Sequence, residues 1–374
     1  MKVSLSARQA DGAATSSPPG HRTPAAVATT AAPQPFHPIA TAHDVALAEL
    51  RRLLAAWAFH EPGARLGQDP EELHQLRVTA RRIDATLGLF KHQLPPALVS
   101  ARKSAKVVLR TLGAARDLDV QLGELARYCA KLSEEHRAAA EPLKARLEIE
   151  RARARARMVR GLDSEPTRRW LETLSVANTE HSGLNDADPA MAVMPERVRQ
   201  RFRRLRKSVR RLRTKSTMAD YHEVRRRAKQ LRYATECGRD LFGRPAEDLL
   251  KALRRLQDKL GAHQDAHMAQ MRLAALAADP DSGLPPATLF LMGRLAEHHA
   301  RATAQTRQTL TRSWRKVRGK RWKGLRVRLG ELREGAQALN GALAPAALAA
   351  TDPAPMASAA AAHSPGPEPY PLKH

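Results

Sequence analysis

The chain reads HQLRVTARRI at residues 74–83 and HEVRRRAKQL at residues 222–231, 148 positions later. Both copies keep a histidine, a cation three residues on and a second cation seven residues on. The same offset relates LGAARD at 112–117 to LGAHQD at 260–265. Because two motifs repeat at one fixed offset, the chain is an internal duplication, which predicts two halves of similar structure.

Each histidine motif places its cations on one face of a helix, since residues at i, i+3 and i+7 lie together on a helix surface. The two lines of candidate binding residues are His74, Arg77 and Arg81 in the first copy, and His222, Arg225, Lys229 and Arg232 in the second. Cations on the following helices of each half support them: Lys103 and Lys106, and Lys251 and Arg254. Like charges at one-turn spacing repel each other, so these lines favour an anionic partner.

The charge of the whole chain indicates the same kind of partner. Its 374 residues include 64 Lys and Arg against 38 Asp and Glu, a net charge of +26. The excess lies within helical sequence, because residues 197–232 contain sixteen Lys or Arg and only two acids. A field of this size attracts nucleic acid, polyphosphate or an anionic membrane.

The number of cysteines and the hydropathy of the chain indicate the cellular compartment of the protein. Cys129 and Cys237 are the only cysteines, too few for a disulfide framework or a thiolate zinc site, which favours a reducing cytosol. The N-terminus lacks the apolar core of a secretory signal, and no segment is long and apolar enough to span a bilayer. We expect a cytoplasmic protein without a membrane span.

Composition divides the chain into a helical body and two Ala- and Pro-rich ends. Residues 1–40 and 336–374 are predicted to be disordered. The body is rich in strong helix formers and has few β-branched runs, which predicts an all-α fold. The predicted halves are 41–180 and 196–335, joined by a linker at 181–195 that contains turn residues.

The expected helices are twelve, six in each half. They cover roughly 43–60, 71–92, 97–112, 117–132, 137–160, 167–178, 196–214, 219–241, 246–260, 265–278, 287–313 and 320–335. Asp69-Pro70 is a typical helix start, and Pro95-Pro96 separates two helices. Leu112-Gly113 and Leu260-Gly261 are interpreted as C-caps, with Asp117 and Asp265 opening the next helices.

Two apolar stripes predict the core. They consist of Leu76, Ala80, Ile83, Leu87 and Phe90 on the first motif helix, and of Val198, Phe202, Leu205, Val209 and Leu212 on the helix that begins the second half. Trp314 and Trp322 flank a basic segment interrupted by Gly319, and we favour a core position for both over a membrane contact.

The motifs of this chain, taken in their order along the sequence, resemble those of the CHAD domain, the conserved-histidine α-helical domain. The resemblance rests on four segments, His74–Arg82, Leu112–Asp119, His222–Tyr233 and Gln257–Asp265, and spans roughly residues 41–335. It implies two four-helix bundles with long antiparallel helices, related by pseudo-twofold symmetry around a basic central channel that binds inorganic polyphosphate. It also implies that the histidine, arginine and lysine positions named above, together with Arg82, are the binding residues.

The two copies depart from each other at several positions. Asp84 stands opposite Arg232 of the second copy and is expected to pair with Arg81, which would weaken the first line. Arg116 and Asp119 correspond to Gln264 and His267, so the halves are not functionally identical. The second copy is the stronger candidate site.

Structural, metal-binding and enzymatic roles are the alternatives to polyphosphate binding. The motif histidines could be structural, and a metal site at them is disfavoured because the adjacent cations repel a metal and no carboxylate or cysteine stands at ligand spacing beside them. Additional imidazoles occur at His263, His267, His298 and His299. A polyphosphate- or triphosphate-processing enzyme, or its regulator, is less favoured because no Gly-rich phosphate loop is present and Asp117 and Asp119 also suit helix capping.

The main alternative is non-specific nucleic-acid binding, which shares the phosphate attraction. Only 14 residues are aromatic, so stacking platforms are sparse. Arginines at 151, 153, 155 and 157 spread over two helix faces and are interpreted as general surface charge. We therefore expect a non-enzymatic, cytoplasmic polyphosphate-binding protein on polyphosphate granules, without cofactor or metal. Its oligomeric state is open.

Overall fold

The computed structural model describes residues 40–179 and 188–349, with side chains described up to residue 339. Within these ranges the chain is helical and forms no strand, which confirms the all-α prediction. The helices are α1 Ala42–Leu66, α2 Pro70–Leu89, α3 Pro96–Thr111, α4 Gly113–Cys129, α5 Glu134–Ala138, α6 Glu141–Leu162, α7 Glu165–Thr179, α8 Ala190–Arg211, α9 Met218–Cys237, α10 Arg239–Phe242, α11 Arg244–Ala277, α12 Pro286–Lys316 and α13 Trp322–Ala349. The predicted disorder of residues 1–39 and 350–374, and residues 181–187 of the predicted linker, fall outside the described residues.

The helices pack in two similar sets. In the first half, α1, α2, α3 and α7 contact one another in a closed ring, and α6 packs on α4 beside it. In the second half, α8, α9, α11 and α13 form the corresponding ring, and α12 packs on α11. Long α11 takes the places of both α3 and α4. The motif helices α2 and α9 contact each other, so the two candidate lines face a common region.

Backbone hydrogen bonds join the two halves reciprocally. Ala42 N–H donates to the carbonyl of Asp188 at 3.0 Å, and Ala190 N–H donates to the carbonyl of Ala40 at 2.9 Å. The donors are 148 positions apart in sequence, and so are the acceptors. The second bond is therefore the first one with the two halves exchanged. A twofold relation between the halves produces such a pair of contacts.

The predicted core stripes are buried. All five stripe residues of the first motif helix are fully buried, and Val198, Phe202 and Leu205 of α8 lie at most 4% exposed, whereas Val209 and Leu212 are partly exposed. Phe202 stacks on Trp322 with ring centroids 3.6 Å apart and lies 5.8 Å from the ring of Trp314. The tryptophans are thus core residues, as predicted, and Gly319 breaks the helical geometry between them.

Helix start signals were more reliable than helix ends. Asp69 caps α2 and Pro70 occupies its first position, and α3 begins directly after Pro95, as predicted. However, α8 begins at Ala190, inside the predicted linker, because Ala190, Met194 and Val198 continue its buried stripe by one more turn. The boundary at residue 335 is not a helix end either. Helix α13 continues to Ala349, in agreement with the high helix propensity of the alanines there.

Candidate functional site

A central cavity of about 1200 Å³ is lined by residues of both halves. This volume exceeds the roughly 300–1,000 Å³ typical of ligand pockets. Six of the twelve predicted binding residues line it: Arg77, Arg81, Lys106, His222, Arg225 and Lys229. Both halves contribute, so the cavity is a joint product of the duplicated motif.

Four of these residues form the centre of the site, and we call Arg77, Arg81, Arg225 and Lys229 the central cations. Arg77 and Arg81 come from α2, while Arg225 and Lys229 occupy the equivalent positions of α9. Arg77 lies 3.7 Å from Asp117, and Arg225 donates to the carbonyl of Gln257 at 3.1 Å. Within the described residues, Arg81 and Lys229 have no ion pair. Arg225 has no ion pair either, so three of the four central cations lack a paired carboxylate in the described part of the chain.

Among the central cations, Lys229 has the pKa that is lowered most by this electrostatic environment. Burial, and then the positive charges of Arg225, Arg81, Arg77 and Arg232, lower the pKa of Lys229 to about 6. The ammonium is therefore disfavoured at neutral pH in the free protein, and an anion bound beside it would favour the charged form.

The motif histidines make equivalent contacts, but only one lines the cavity. His74 accepts a hydrogen bond at Nδ1 from Nε of Arg116 at 3.3 Å, and His222 Nδ1 lies 3.2 Å from Oε1 of Gln264. Burial and the charge of Arg116 lower the pKa of His74. A neutral imidazole with its proton on Nε2 is consistent with that contact, and it makes His74 a positioning residue for Arg116.

The glycines of the second repeated motif have a different role from the predicted one. Gly261 lies inside the continuous helix α11, and Gly113 is the first residue of α4, so neither is a left-handed C-cap and neither Asp117 nor Asp265 opens a helix. A Cβ at Gly113 would lie 2.9 Å from Nη1 of Arg77, and one at Gly261 would lie 2.8 Å from Nη1 of Arg225. At both positions the guanidinium crosses close above the helix backbone, so a side chain in place of the glycine would force the arginine to shift.

Gly261→Ala is expected to weaken anion binding without unfolding the protein. The methyl group displaces the Arg225 guanidinium, which costs about 1 kcal/mol or roughly fivefold in affinity for an anion held by that side chain. Alanine also favours the helix by roughly 0.5–1 kcal/mol, so the melting temperature should not fall appreciably. The control is Gly123→Ala in α4, where an added Cβ has nothing within 4 Å. Equal affinities for the two variants, measured by calorimetry, would contradict this role of Gly261.

The other predicted residues lie outside the cavity lining. Arg82 and Arg232 are both held by Glu236, at 3.4 Å and 3.7 Å respectively. Glu236 is only 16% exposed and lies on α9, so its contact with Arg82 joins the two motif helices, whereas its pair with Arg232 lies within α9. Lys103, Lys251 and Arg254 are exposed on the surfaces of α3 and α11. Lys106 is thus the only one of the four predicted supporting cations that lines the cavity.

Two predictions about charged residues were wrong. Asp84 pairs with Nε of Arg102 on α3, at 3.0 Å, and not with Arg81. Arg153 and Arg157 are not general surface charge, because they stand one turn apart on α6 and line the cavity. On the other face of α6, Arg151 pairs with buried Asp119.

Arg155, the fourth arginine of this run, donates to the carbonyls of Ala64 and Arg65 at the end of α1. The alternating arginines therefore divide between ligand-facing and structural positions, as the two helix faces require.

Sequence reasoning also missed further cations of the cavity: Arg102, Arg146, Arg201, Arg226 and Arg272. Arg201 contacts the carbonyl of Gly88 at 3.5 Å, and burial with neighbouring arginines lowers its pKa to about 10. Arg146 and Arg272 are both held by Glu150. The spacing of i and i+4 on α6 could have indicated Arg153 and Arg157, but no local signal marks Arg102 or Arg201.

The net charge of the lining is strongly positive. Twelve Lys or Arg residues line the cavity against four acids, Asp84, Asp117, Glu150 and Asp265. Burial raises the pKa of Asp265, even though Arg225 acts in the opposite direction. Each acid lies near an arginine, so the acids reduce the surplus without removing it. The cavity can accept an anion with several charges.

Among the described residues no group of three or more His, Cys, Asp or Glu side chains could hold a metal ion. His263 is buried, accepts from Arg307 at 3.3 Å and lies against the ring of Tyr221. Burial, Arg307 and His267 lower its pKa to about 4, as expected for a structural imidazole.

None of the described helices could cross a membrane.

Comparison with known proteins supplies a family and a fold. A model of the CHAD domain matches residues 48–274. The structure of the CHAD domain from the plant Ricinus communis is similar, with 26% identity and a TM-score of 0.64, over 75% of this chain and 93% of that one. PptA from Streptomyces chartreusis has the same fold, with 21% identity and a TM-score of 0.59, over 74% of this chain and 100% of that one. No curated protein matches the chain.

Proposed function

Because the chain belongs to the CHAD domain family, we propose that it binds inorganic polyphosphate in the central cavity and does not turn it over. The observation that carries the proposal is the group of central cations, contributed equally by the two repeated motifs, in which Arg81 and Lys229 have no ion pair among the described residues. Arginine offers a planar fork to phosphate oxygens, and lysine adds a mobile point charge.

The shape of the site favours a thin, flexible anion. Cations from α2, α3, α6, α8, α9 and α11 surround one cavity, so a ligand inside it is contacted from several sides. A polyphosphate chain carries a charge on each repeating unit and has no bases or sugars to accommodate. A double helix is too wide to be contacted in this way, which makes nucleic acid the weaker candidate for this cavity.

Binding without hydrolysis is the simplest chemistry for these residues. Asp117 is near Arg77 and Asp265 is near Arg225, so both carboxylates act as local counterions. The cavity supplies charge stabilisation but no evident activated nucleophile. Incubation of long-chain polyphosphate with the protein and Mg²⁺ should leave its chain length unchanged on a gel. Progressive shortening would show that the protein is an enzyme.

Affinity measured against salt tests the proposal. Purified protein is titrated with long-chain polyphosphate and, separately, with double-stranded DNA at matched phosphate concentration. Polyphosphate should bind more than about tenfold tighter, a difference of about 1.4 kcal/mol. It should also remain bound at salt concentrations that release DNA. Equal affinities that decline in parallel would mean that net charge alone explains binding, and the polyphosphate proposal would fail.

Association with polyphosphate granules follows from this binding. A fluorescent fusion should colocalise with polyphosphate in cells, and substitution of central cations should make it diffuse. A fusion that stays on granules after that substitution would show that localisation depends on another surface.

A further inference from the structure

A second cationic surface lies on the outer side of α8. Six residues and no others line a shallow depression of about 560 Å³ there, and we call them the α8 patch: Arg203, Arg206, Lys207, Arg210, Arg211 and Arg213. All six are exposed. None of them lines the central cavity.

The faces of α8 separate this patch from the cavity. Val198, Phe202 and Leu205 face the core, and Arg201 lines the cavity on another side of the helix. Successive residues of a helix are 100° apart, so Arg206 and Arg210 project well away from Arg201. A ligand on the α8 patch therefore need not enter the cavity.

Structural roles account for only part of the patch. Arg213 donates to the carbonyls of Arg210 and Leu212 at the helix end, and Arg203 contacts Glu196. Arg210 and Arg211 also gain from the negative end of the helix dipole. Arg206 and Lys207 have neither advantage, and no ion pair within the described residues compensates their repulsion. The grouping of six cations is explained better by an external anion than by helix stability.

We propose that the α8 patch binds the phosphodiester backbone of double-stranded nucleic acid without reading its sequence. The patch is open, and its helical part from Arg203 to Arg211 is about 13 Å long, so it can follow one side of a wide rod. No aromatic side chain lies among its six members, so base stacking plays no part. Arginine and lysine contacts to phosphates supply affinity but no sequence information.

A membrane surface fits the patch less well. Interfacial helices insert an apolar face between lipid headgroups. The apolar face of α8 is already buried in the core, and none of the large exposed hydrophobic residues lies on α8.

Together with the central cavity, the patch would let one molecule hold polyphosphate and nucleic acid at the same time.

The test compares two variants of the full chain that lose four charges each. The patch variant carries Arg206→Gln, Lys207→Gln, Arg210→Gln and Arg211→Gln. The control carries Arg244→Gln, Lys251→Gln, Arg254→Gln and Arg255→Gln, which are exposed positions on α11 outside the cavity. Binding of a mixed-sequence DNA duplex of about 20 base pairs is followed by anisotropy against salt.

The patch variant should lose at least about tenfold in DNA affinity at low salt, and its log–log salt slope should decrease by about 3.6, since each of the four lost phosphate contacts contributes about 0.9. The control should change the affinity less than about threefold and leave the slope near that of the parent. A milder variant, Arg206→Gln with Lys207→Gln, should lose about half as much slope and guards against misfolding of the full variant.

Several outcomes would overturn the proposal. Equal losses in patch variant and control would mean that total charge determines DNA binding. Unchanged DNA binding with reduced binding to vesicles of anionic phospholipid would assign the patch to membranes. Binding of short-chain polyphosphate is measured in parallel and should be retained by the patch variant. Because the DNA arm contains no polyphosphate, failure of this proposal is distinguishable from failure of the proposed function.

Discussion

Combined replacement of Arg81 and Lys229 by glutamine is expected to lower polyphosphate affinity by about a hundredfold or more. Charge-assisted hydrogen bonds contribute about 1.5–3 kcal/mol each, and two of them amount to about 3–6 kcal/mol. The free protein should be no less stable than the parent, because both side chains lie among like charges with no ion pair in the described part of the chain. A loss of binding without loss of stability is the signature of a site held ready for an anion.

The measurement is calorimetry for binding and circular dichroism for melting, with Lys251→Gln and Arg254→Gln as the matched control. These residues carry the same charge and occur on a helix that lines the cavity, but they are exposed outside it. The control should bind within about threefold of the parent, because surface charges contribute little individually. Equal losses in the two double variants, or a melting temperature lowered only in the Arg81 and Lys229 variant, would contradict the site assignment.

The centre of the site could be predicted because it is encoded in local spacing. A histidine and cations at i, i+3 and i+7 must share a helix face, and the repeat indicated that two such faces exist. The apolar stripe of the same helix, from Leu76 to Phe90, determines which face is buried and therefore which cations approach the other half. Arg77, Arg81, Arg225 and Lys229 follow from these two facts.

The rest of the lining depends on tertiary packing that the sequence does not display. Arg102 and Arg201 belong to helices without the motif and reach the cavity because α3 and α8 pack beside α2 and α9, respectively. Lys103 differs from Arg102 by a single position, yet 100° of helix rotation leaves it on the exterior.

Glycine at 113 and 261 was misinterpreted for a related reason. Glycine is typical both of a helix end and of a place where another group comes close to the backbone. Only the position of the arginine above the glycine distinguishes the two cases.

The affinity for polyphosphate is expected to fall as the pH rises from about 6.5 to 9, by up to about tenfold per pH unit. Burial and the surrounding cations Arg225, Arg81, Arg77 and Arg232 lower the pKa of Lys229 to about 6 in the free protein. A bound polyanion stabilises the ammonium and raises that pKa. Binding therefore takes up a proton in this window, and a reaction that takes up a proton weakens as the pH rises.

The stability of the free protein should change with pH in the opposite direction. An unfolded chain holds the Lys229 proton up to a pKa of about 10.4, whereas the folded protein releases it near 6. The unfolded state binds more protons between these values, so the free energy of unfolding rises with pH across that range. The affinity measurement uses long-chain polyphosphate, because only a small fraction of its phosphates are terminal groups whose own titration would add to the pH dependence of binding.

Substitutions of Lys229 separate this linkage from general electrostatics. Lys229→Arg keeps its charge throughout the range and should bind tightly with little dependence on pH, while Lys229→Gln should bind more weakly and also lose the dependence. In both variants the opposing pH dependence of stability should diminish. A parent affinity that is constant from pH 6.5 to 9, or a dependence that survives in Lys229→Gln, would mean that Lys229 keeps its proton in the free protein. The cavity would then be fully charged before the anion arrives, and binding would be governed by counterion exchange alone.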